Sequence, residues 1–259
     1  MAASAITGGP AVPALRLSGL TFGVDGASIL RDVDLDVRSG EFLGIIGPNG
    51  AGKTTLFNLI SGLLEPTGGT MALAGTSLRG LTPARRARLG LGRTFQTSLL
   101  FGSLTCLENA RIAAAAGSGG GPRWWRRPTS RDQASQRALR ALGAVGLAGR
   151  ADRPAGVLSH GDKRKLELAI LIAGGAEILL LDEPMAGVNA EDVDGLVELI
   201  AGLHAAGRTV LMVEHHLAVV LGLAQRVAVL HHGSLLACGD PAAVMADETV
   251  QTAYVGDPL

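Results

Sequence analysis

The stretch with the clearest chemistry is GPNGAGKT at residues 47–54, which fits the pattern G-x-x-x-x-G-K-[ST]. In this pattern, glycines allow backbone N–H groups to turn toward phosphate oxygens, and the helix that follows adds positive potential. Lys53 is then expected to reach the β- and γ-phosphates, and the Thr54 hydroxyl to ligate Mg²⁺. A predicted strand at 42–47 precedes the loop. A predicted helix follows it, from Gly52 to Ser61, which is the context that a phosphate site requires.

Phosphoryl transfer also needs carboxylates, and two acids stand together at the end of a second apolar run. EILLLD at 177–182 is typical of a parallel strand buried on both faces. We expect Asp182 to hold Mg²⁺. Glu183 follows at the carboxyl edge of the strand, where open α/β sheets bind ligands, and is predicted to orient and deprotonate a water molecule. The alternative for Glu183 is a solvated carboxylate at a strand end.

The elements around these residues predict an α/β fold. Short alternating stretches between Leu15 and Val37 predict antiparallel strands. Apolar strand patterns at 209–214 and 226–230 flank a helical pattern near 217–223, as in a mainly parallel, doubly wound sheet. Between about 97 and 155 the sequence changes to an Ala- and Arg-rich helical pattern, with a Gly-rich connector. The prediction is a parallel-sheet core with an N-terminal antiparallel β part and an α-helical subdomain.

Composition narrows the class of protein. The chain has 259 residues, 47% of them hydrophobic, enough for a sizeable core. Acids and bases balance at 23 each, which argues against a nucleic-acid partner or a polybasic membrane-surface protein.

Cys106 and Cys238 are far apart and are predicted to be free thiols in a reducing compartment. No apolar stretch reaches the roughly 20 residues of a membrane span, and residues 1–13 lack the pattern of a signal peptide. We therefore expect a soluble, cytoplasmic protein.

From about Leu15 to the C-terminus, the chain resembles the ATP-binding subunits of ABC transporters. Five segments carry the resemblance and occur in the family's order. They are GPNGAGKTT (47–55), RTFQ (93–96), LSHGD (158–162), ILLLDEP (178–184) and VEHH (213–216). The resemblance implies a P-loop NTPase core and the cofactors ATP and Mg²⁺.

The resemblance also implies roles for individual residues. Glu183 resembles the catalytic base, His215 the switch histidine at the γ-phosphate, and Gln96 a contact to Mg²⁺ or the attacking water. Phe22 stands where the family stacks an aromatic ring on adenine. The expected nucleotide-binding loop comprises Gly47, Pro48, Asn49, Gly50, Ala51, Gly52, Lys53, Thr54 and Thr55. The alternatives are a solvated amide for Gln96, a structural histidine for His215 and a core residue for Phe22.

LSHGD at 158–162 resembles the family's signature loop, usually LSGGQ. The resemblance implies that two subunits sandwich ATP, so that Ser159 and Gly161 contact the nucleotide bound by the partner. His160 replaces a glycine and Asp162 replaces a glutamine. We expect Asp162 to cap the following helix rather than face the phosphates. Asn189, in the loop after DEP, is predicted either to cap the next helix or to meet the partner subunit.

The segments that connect these motifs indicate a subgroup within the family that the chain resembles. RTFQTSLLFGSLTCLENA (93–110), DEPMAGVNAED (182–192) and AYVGDPL (253–259) most resemble ATPases of branched-chain amino acid importers, whose relatives move urea and amides. The resemblance implies membrane permease subunits, a second ATP-binding subunit, an external solute-binding protein acting indirectly, and a place on the inner face of the membrane. The alternatives are an exporter subunit, a non-transport ABC-type ATPase and a P-loop kinase.

The resemblance also divides the chain. The expected parts are a disordered tail (1–13) and one ATP-binding domain (14–259), made of a core (14–96 and 166–235), a helical subdomain (97–165) and a C-terminal extension (236–259). PRWWRRP at 122–128 contains Trp124 and Trp125, which are predicted either to contact the permease or to cover the subdomain's own core. Base stacking on nucleic acid is disfavoured by the neutral chain.

Overall fold

The computed structural model describes residues 12–95, 99–117 and 132–255. Its strands are β1 (Leu15–Val24), β2 (Ala27–Val37), β3 (Phe42–Ile46), β4 (Gly68–Leu73), β5 (Thr76–Ser77), β6 (Leu91–Arg93), β7 (Ile178–Asp182), β8 (Thr209–Val213), β9 (Arg226–His231) and β10 (Ser234–Gly239). Its α-helices are α1 (Lys53–Ser61), α2 (Pro83–Arg88), α3 (Cys106–Gly117), α4 (Gln133–Ala144), α5 (His160–Ala173), α6 (Ala190–Ala205), α7 (Leu217–Leu223), α8 (Pro241–Ala246) and α9 (Glu248–Val255).

The strands form two sheets. An antiparallel sheet has the order β2-β1-β4-β5, and a six-stranded sheet has the order β10-β9-β3-β8-β7-β6. Within the larger sheet only β10 is antiparallel to its neighbour. Every residue of β3, β7 and β8 is buried, which explains their continuous apolar sequences. The expected combination of a mainly parallel core with an N-terminal antiparallel part is confirmed.

Helices α3, α4 and α5 pack together beside the core. Their contacts use small side chains, since Ala110, Ala114, Ala138 and Ala141 are all buried, and this allows close approach of the helices. Helix α5 begins after the LSHGD serine and continues without a break past residue 165 into the core cluster. One helix thus connects the signature-like loop to the parallel sheet, and the division of the chain at 165/166 falls inside it.

Helix α1 has defined ends. Gly52 and Gly62 stand at its two caps in the left-handed conformation. Buried Arg86 donates from Nη1 to the carbonyl oxygens of Leu59 and Ile60, in the last turn of α1. A cation at a helix C-terminus satisfies carbonyls that have no partner within the helix and complements the helix dipole. These contacts fix the helix that follows the phosphate loop.

Several expectations need correction or completion. The following elements have no counterpart among the predicted ones: β4, β5, β6, β10, α2, α3, α8 and α9. Asn189 stands at the N-cap of α6, as one alternative proposed, but its side chain makes no capping hydrogen bond. Cys106 and Cys238 are free. Across the ranges described above, no helix is both long and apolar enough to cross a membrane.

Candidate functional site

The loop between β3 and α1 has a backbone that requires glycine at two positions. Gly47 has φ 150° and Gly52 has φ 102°. A Cβ on Gly47 would lie 2.1 Å from the carbonyl oxygen of Leu230, and one on Gly52 would lie 2.6 Å from Cδ2 of Leu30. Both positions therefore exclude a side chain, for steric and conformational reasons. The strand-loop-helix context expected of a phosphate site is present.

Lys53 lies inside this loop. Its Nζ donates to the carbonyl oxygen of Gly47 at 2.6 Å and to that of Pro48 at 2.9 Å, and the residue is 8% exposed. Burial lowers the pKa of Lys53, while the nearby carboxylates of Glu183 and Asp182 oppose that shift. The poorly solvated ammonium of Lys53 favours binding of an anion, whereas the two nearby acids oppose it unless a cation neutralises them.

The loop opens into a cleft of about 280 Å³, lined by Ile29, residues 49–55, Glu183 and His215. The structure therefore brings together most of the expected phosphate loop, the predicted base and the predicted switch histidine. Phe22 does not line this cleft. It is buried in an apolar cluster with Leu30, which agrees with the alternative interpretation of a core residue. Its contact with adenine stays a prediction.

Asp182 ends β7 and is 1% exposed. Its Oδ2 accepts from Nη2 of Arg93 at 3.0 Å, whereas Oδ1 is buried and has no hydrogen-bond partner within the described ranges. Burial raises the pKa of Asp182, and the guanidinium of Arg93 opposes the rise. Mg²⁺ prefers carboxylate and hydroxyl oxygens. The unsatisfied Oδ1, together with the exposed Thr54 of the phosphate loop, fits the requirements of such an ion.

Glu183 follows in a strained conformation, with φ 49°. Such a backbone costs about 1–3 kcal/mol and is concentrated at functional sites. The N–H of Glu183 donates to the carbonyl oxygen of Val213 at 2.9 Å, which ties it to β8. Its Oε1 lies 2.9 Å from Nε2 of His215, and both side chains border the cleft. The turn therefore aims a carboxylate at the phosphate loop with a histidine beside it.

Glu214 is a further functional candidate, for which the sequence patterns predict no role. It follows β8, is 4% exposed, and accepts from the backbone N–H of Met185 at 2.8 Å and of His215 at 3.1 Å. The buried carboxylate of Glu214 thus holds both the loop that follows Glu183 and the backbone of His215, whose side chain pairs with Glu183. The available signal was an acid at the end of the otherwise apolar strand TVLMVE.

The signature-like loop corrects one expectation. Ser159, not Asp162, caps α5, because its Oγ accepts from the N–H of Asp162 at 3.2 Å. The carboxylate of Asp162 forms an ion pair with Arg150. Gly161 is buried against α6, where a Cβ would lie 2.9 Å from Oδ2 of Asp192. Ser159 and Gly161 do not line the cleft of their own chain, and their contact with a partner's nucleotide stays a prediction.

Gln96, Trp124 and Trp125 lie outside the described residues. The backbone just before Gln96 is held from another element, since Nη1 of Arg164 donates to the carbonyl oxygen of Phe95 at 3.0 Å. Arg164 belongs to α5, so the helix that carries the signature-like loop also contacts the segment leading to Gln96.

Comparisons with known proteins agree with this geometry. The profile of the family described as "ABC transporter" matches residues 30–186. The chain is 38% identical to the high-affinity branched-chain amino acid transport ATP-binding protein LivG of Salmonella typhimurium, over 95% of this chain and 98% of LivG.

Two solved structures are similar to the whole cassette. An ATP-binding cassette of an ABC transporter in its ADP conformation superposes with a TM-score of 0.83 at 28% identity, covering 94% of this chain and 98% of the other. A dimeric ATP-binding cassette in a post-hydrolysis state, bound to ADP and Pi, gives a TM-score of 0.73 at 25% identity, covering 88% and 98%.

Replacing Lys53 with Ala should weaken binding of a nucleoside triphosphate, because the phosphate loop loses its cation. The loss of a charged hydrogen bond corresponds to about 1.5–3 kcal/mol, or about 10- to 150-fold in Kd. Titration with a fluorescent ATP analogue measures it. Arg79→Ala is the matched control, since it removes an equal charge at an exposed position outside the cleft. Equal Kd values for Lys53→Ala and the unsubstituted chain would contradict the assignment of the loop.

Proposed function

The chain belongs to the ABC transporter family as an ATP-binding cassette ATPase, and we propose that it drives an importer for branched-chain amino acids or similar small polar solutes such as urea or amides. The observation that carries the proposal of hydrolysis is the pair formed by Glu183 and His215, which faces the phosphate loop across one cleft. A carboxylate placed there has a basic oxygen within reach of a water molecule beside the bound phosphates. The identity of the solute rests on the similarity to LivG.

The residues of the chain then act in sequence. Backbone N–H groups of residues 49–54 and the Lys53 ammonium bind the β- and γ-phosphates of ATP. Glu183 accepts a proton as water attacks the γ-phosphorus. The bond from that phosphorus to the β–γ bridging oxygen breaks, giving ADP and inorganic phosphate. His215 holds the Glu183 carboxylate in place and faces the γ-phosphate.

Thr54 and Asp182 are the residues proposed to hold Mg²⁺, with Gln96 as the further ligand that the family resemblance implies. When bound, the ion neutralises the charge on the transferred phosphoryl group. Asp182 and Glu183 are adjacent in the chain but differ in environment. Asp182 is buried and paired with a cation, whereas the Glu183 side chain is 21% exposed at the cleft. The buried carboxylate suits a metal ligand and the accessible one suits a base.

A second copy of the chain, or a related ATP-binding subunit, is proposed to complete the site. Ser159 and His160 are exposed at the start of α5. The Asp162 carboxylate is neutralised by Arg150, so it does not confront a partner's phosphates with an unpaired negative charge. The helix start therefore offers N–H donors to an anion on a neighbouring subunit. The dimeric cassette bound to ADP and Pi is an example of such a pair among related structures.

The permease is proposed to contact an exposed apolar patch formed by Leu99, Phe101 and Val157, whose exposed fractions are 67%, 57% and 73%. Phe101 and Val157 belong to neighbouring segments, because the N–H of Gly156 donates to the carbonyl oxygen of Gly102. Clustered large apolar side chains at a surface are typical of interaction sites. Docking here places the chain at the inner face of the membrane, with an external solute-binding protein acting through the permease.

Glu183→Gln should retain ATP binding and lose hydrolysis by about 10²- to 10⁴-fold, because an amide does not accept the proton from water. Release of inorganic phosphate and a parallel nucleotide titration separate the two effects. Glu177→Gln is the matched control, since Glu177 lies at the opposite end of β7. Hydrolysis by Glu183→Gln at the rate of the unsubstituted chain would rule out Glu183 as the base.

Mixed dimers test the shared site. Ser159→Arg should block the approach of α5 to the partner's γ-phosphate, while Lys53→Ala disables the phosphate loop. In a dimer with one subunit of each variant, one composite site carries both changes and the other carries neither. ATPase activity should therefore exceed that of either variant alone. Because Ser159→Arg also removes a helix cap, at about 1 kcal/mol, thermal unfolding must first show that the variant folds. No recovery in verified mixed dimers would argue against the shared site.

Deleting the gene in its source organism should reduce uptake of radiolabelled leucine, isoleucine and valine. Re-expression of the unsubstituted chain should restore uptake, whereas the Lys53→Ala variant should not, because transport needs nucleotide binding. Parallel uptake of labelled urea and acetamide distinguishes the related solutes. Unchanged uptake of all five solutes would reject the proposed importer, even if the purified chain hydrolyses ATP.

A further inference from the structure

Arg93 is a buried cation to which the mechanism above gives no role. It ends β6, just before the segment that leads to Gln96, and its side chain is 6% exposed. Burial lowers the pKa of Arg93, and its contact with Asp182 opposes the shift. A charge in such surroundings is costly unless it is paired and hydrogen-bonded. Its partners therefore show what it does.

The guanidinium joins two elements of the site. Nη1 donates to Oδ1 of Asn58 at 2.7 Å and to Oγ of Ser61 at 2.8 Å, both on α1. Nη2 donates to Oδ2 of Asp182 at 3.0 Å, at the end of β7. Because a guanidinium is planar and rigid, these bonds fix the acid relative to the helix that follows the phosphate loop.

Aromatic contacts restrict the guanidinium further. Its central carbon lies 5.8 Å from the ring centroid of Phe57 and 5.1 Å from that of Phe95. Both separations are within the range of a cation–π interaction. Phe57 belongs to α1 and Phe95 precedes Gln96, so Arg93 contacts all three segments from which the proposed Mg²⁺ ligands come.

The bond to Arg93 also selects which oxygen of Asp182 is available. Oδ2 is occupied by the guanidinium, and Oδ1 is the buried oxygen without a hydrogen-bond partner in the part of the chain that the structure describes. We propose that Arg93 is a positioning residue for Mg²⁺ binding, which fixes Asp182 against α1 and leaves Oδ1 as the oxygen that would be available to the ion. This inference rests on the proposed ATPase function, in which Asp182 is a Mg²⁺ ligand.

A purely structural role makes a different prediction. Buried ion pairs contribute little net stability, whereas removal of one partner is strongly destabilising. Loss of Arg93 therefore lowers stability in either case, and a stability measurement alone does not distinguish the two roles. The distinguishing quantity is the dependence of nucleotide binding and hydrolysis on Mg²⁺ concentration.

Arg93→Met removes the charge and keeps a side chain of similar length. Arg93→Lys keeps the charge but lacks the planar guanidinium that bonds to both α1 and Asp182. We expect Arg93→Met to raise the Mg²⁺ concentration for half-maximal hydrolysis by about 10- to 100-fold, as is usual when the partner of a metal ligand is lost. Arg93→Lys should show a smaller rise. ATP affinity measured in EDTA should be unchanged, while the gain in affinity on adding Mg²⁺ should shrink in both variants.

Arg86 provides a matched control. It is also a buried arginine bonded to the last turn of α1, but its bonds there are to backbone carbonyl oxygens, and its acidic partner is Glu65 rather than Asp182. Arg86→Lys should lower the unfolding temperature and leave the Mg²⁺ dependence as in the unsubstituted chain. The inference is overturned if folded Arg93→Met keeps the Mg²⁺ dependence of the unsubstituted chain. It is also overturned if Arg86→Lys changes that dependence equally.

Asn58→Ala keeps the test decisive if the Arg93 variants do not fold. Asn58 accepts from Nη1 of Arg93, whereas Asp182 accepts from Nη2, so loss of the Asn58 side chain should raise the Mg²⁺ requirement in the same direction and by less. An unchanged requirement in Asn58→Ala would then overturn the inference. Failure of the proposed function looks different, since the unsubstituted chain itself would not hydrolyse ATP.

Discussion

The parallel pairing of β3, β8 and β7 is the constraint on which the cleft depends. Ile45 of β3 and Asp182 of β7 both pair with Val213 of β8, so the three strands end at one level. Carboxyl ends of parallel strands share one edge of a sheet, where loops can approach a common ligand. The phosphate loop, Glu183 and His215 follow directly from these ends. A shift of register by one residue would separate them, because alternate residues point to opposite faces.

Charge at this edge is arranged so that each buried group has a counterpart. Lys53 lies between loop carbonyls and two acids, and Arg93 lies between Asp182 and α1. Burial lowers the pKa of Lys53 and of Arg93 and raises that of Asp182, and in each case a neighbouring opposite charge counters the shift. Asp182 keeps one oxygen unsatisfied within the described residues. This arrangement fits the proposed binding of a divalent cation and a polyphosphate at the site.

Helix α5 connects the cleft to the surface proposed for partners. Ser159 caps its start, its second turn contacts the backbone before Gln96 through Arg164, and its C-terminal part packs in the hydrophobic core. The same helix thus carries the signature-like loop and contacts the segment just before Gln96, a proposed Mg²⁺ ligand. The exposed side chains proposed to contact the permease flank these segments in the sequence. Leu99 and Phe101 follow shortly after Gln96, and Val157 comes just before Ser159.

The sequence by itself determined the family, the phosphate loop, the fold class and most strand positions. These follow from local patterns, in which glycine spacing, apolar runs and strand-end acids carry their meaning within a few residues. Tertiary structure alone decided that Phe22 is buried and does not line the cleft, and that Ser159 rather than Asp162 caps α5. It also decided that Arg93 bonds to Asp182 and that Glu214 bonds to the backbone of His215. Arg93 and Asp182 are 89 positions apart. Such contacts depend on strand order and register, which no short stretch of sequence specifies.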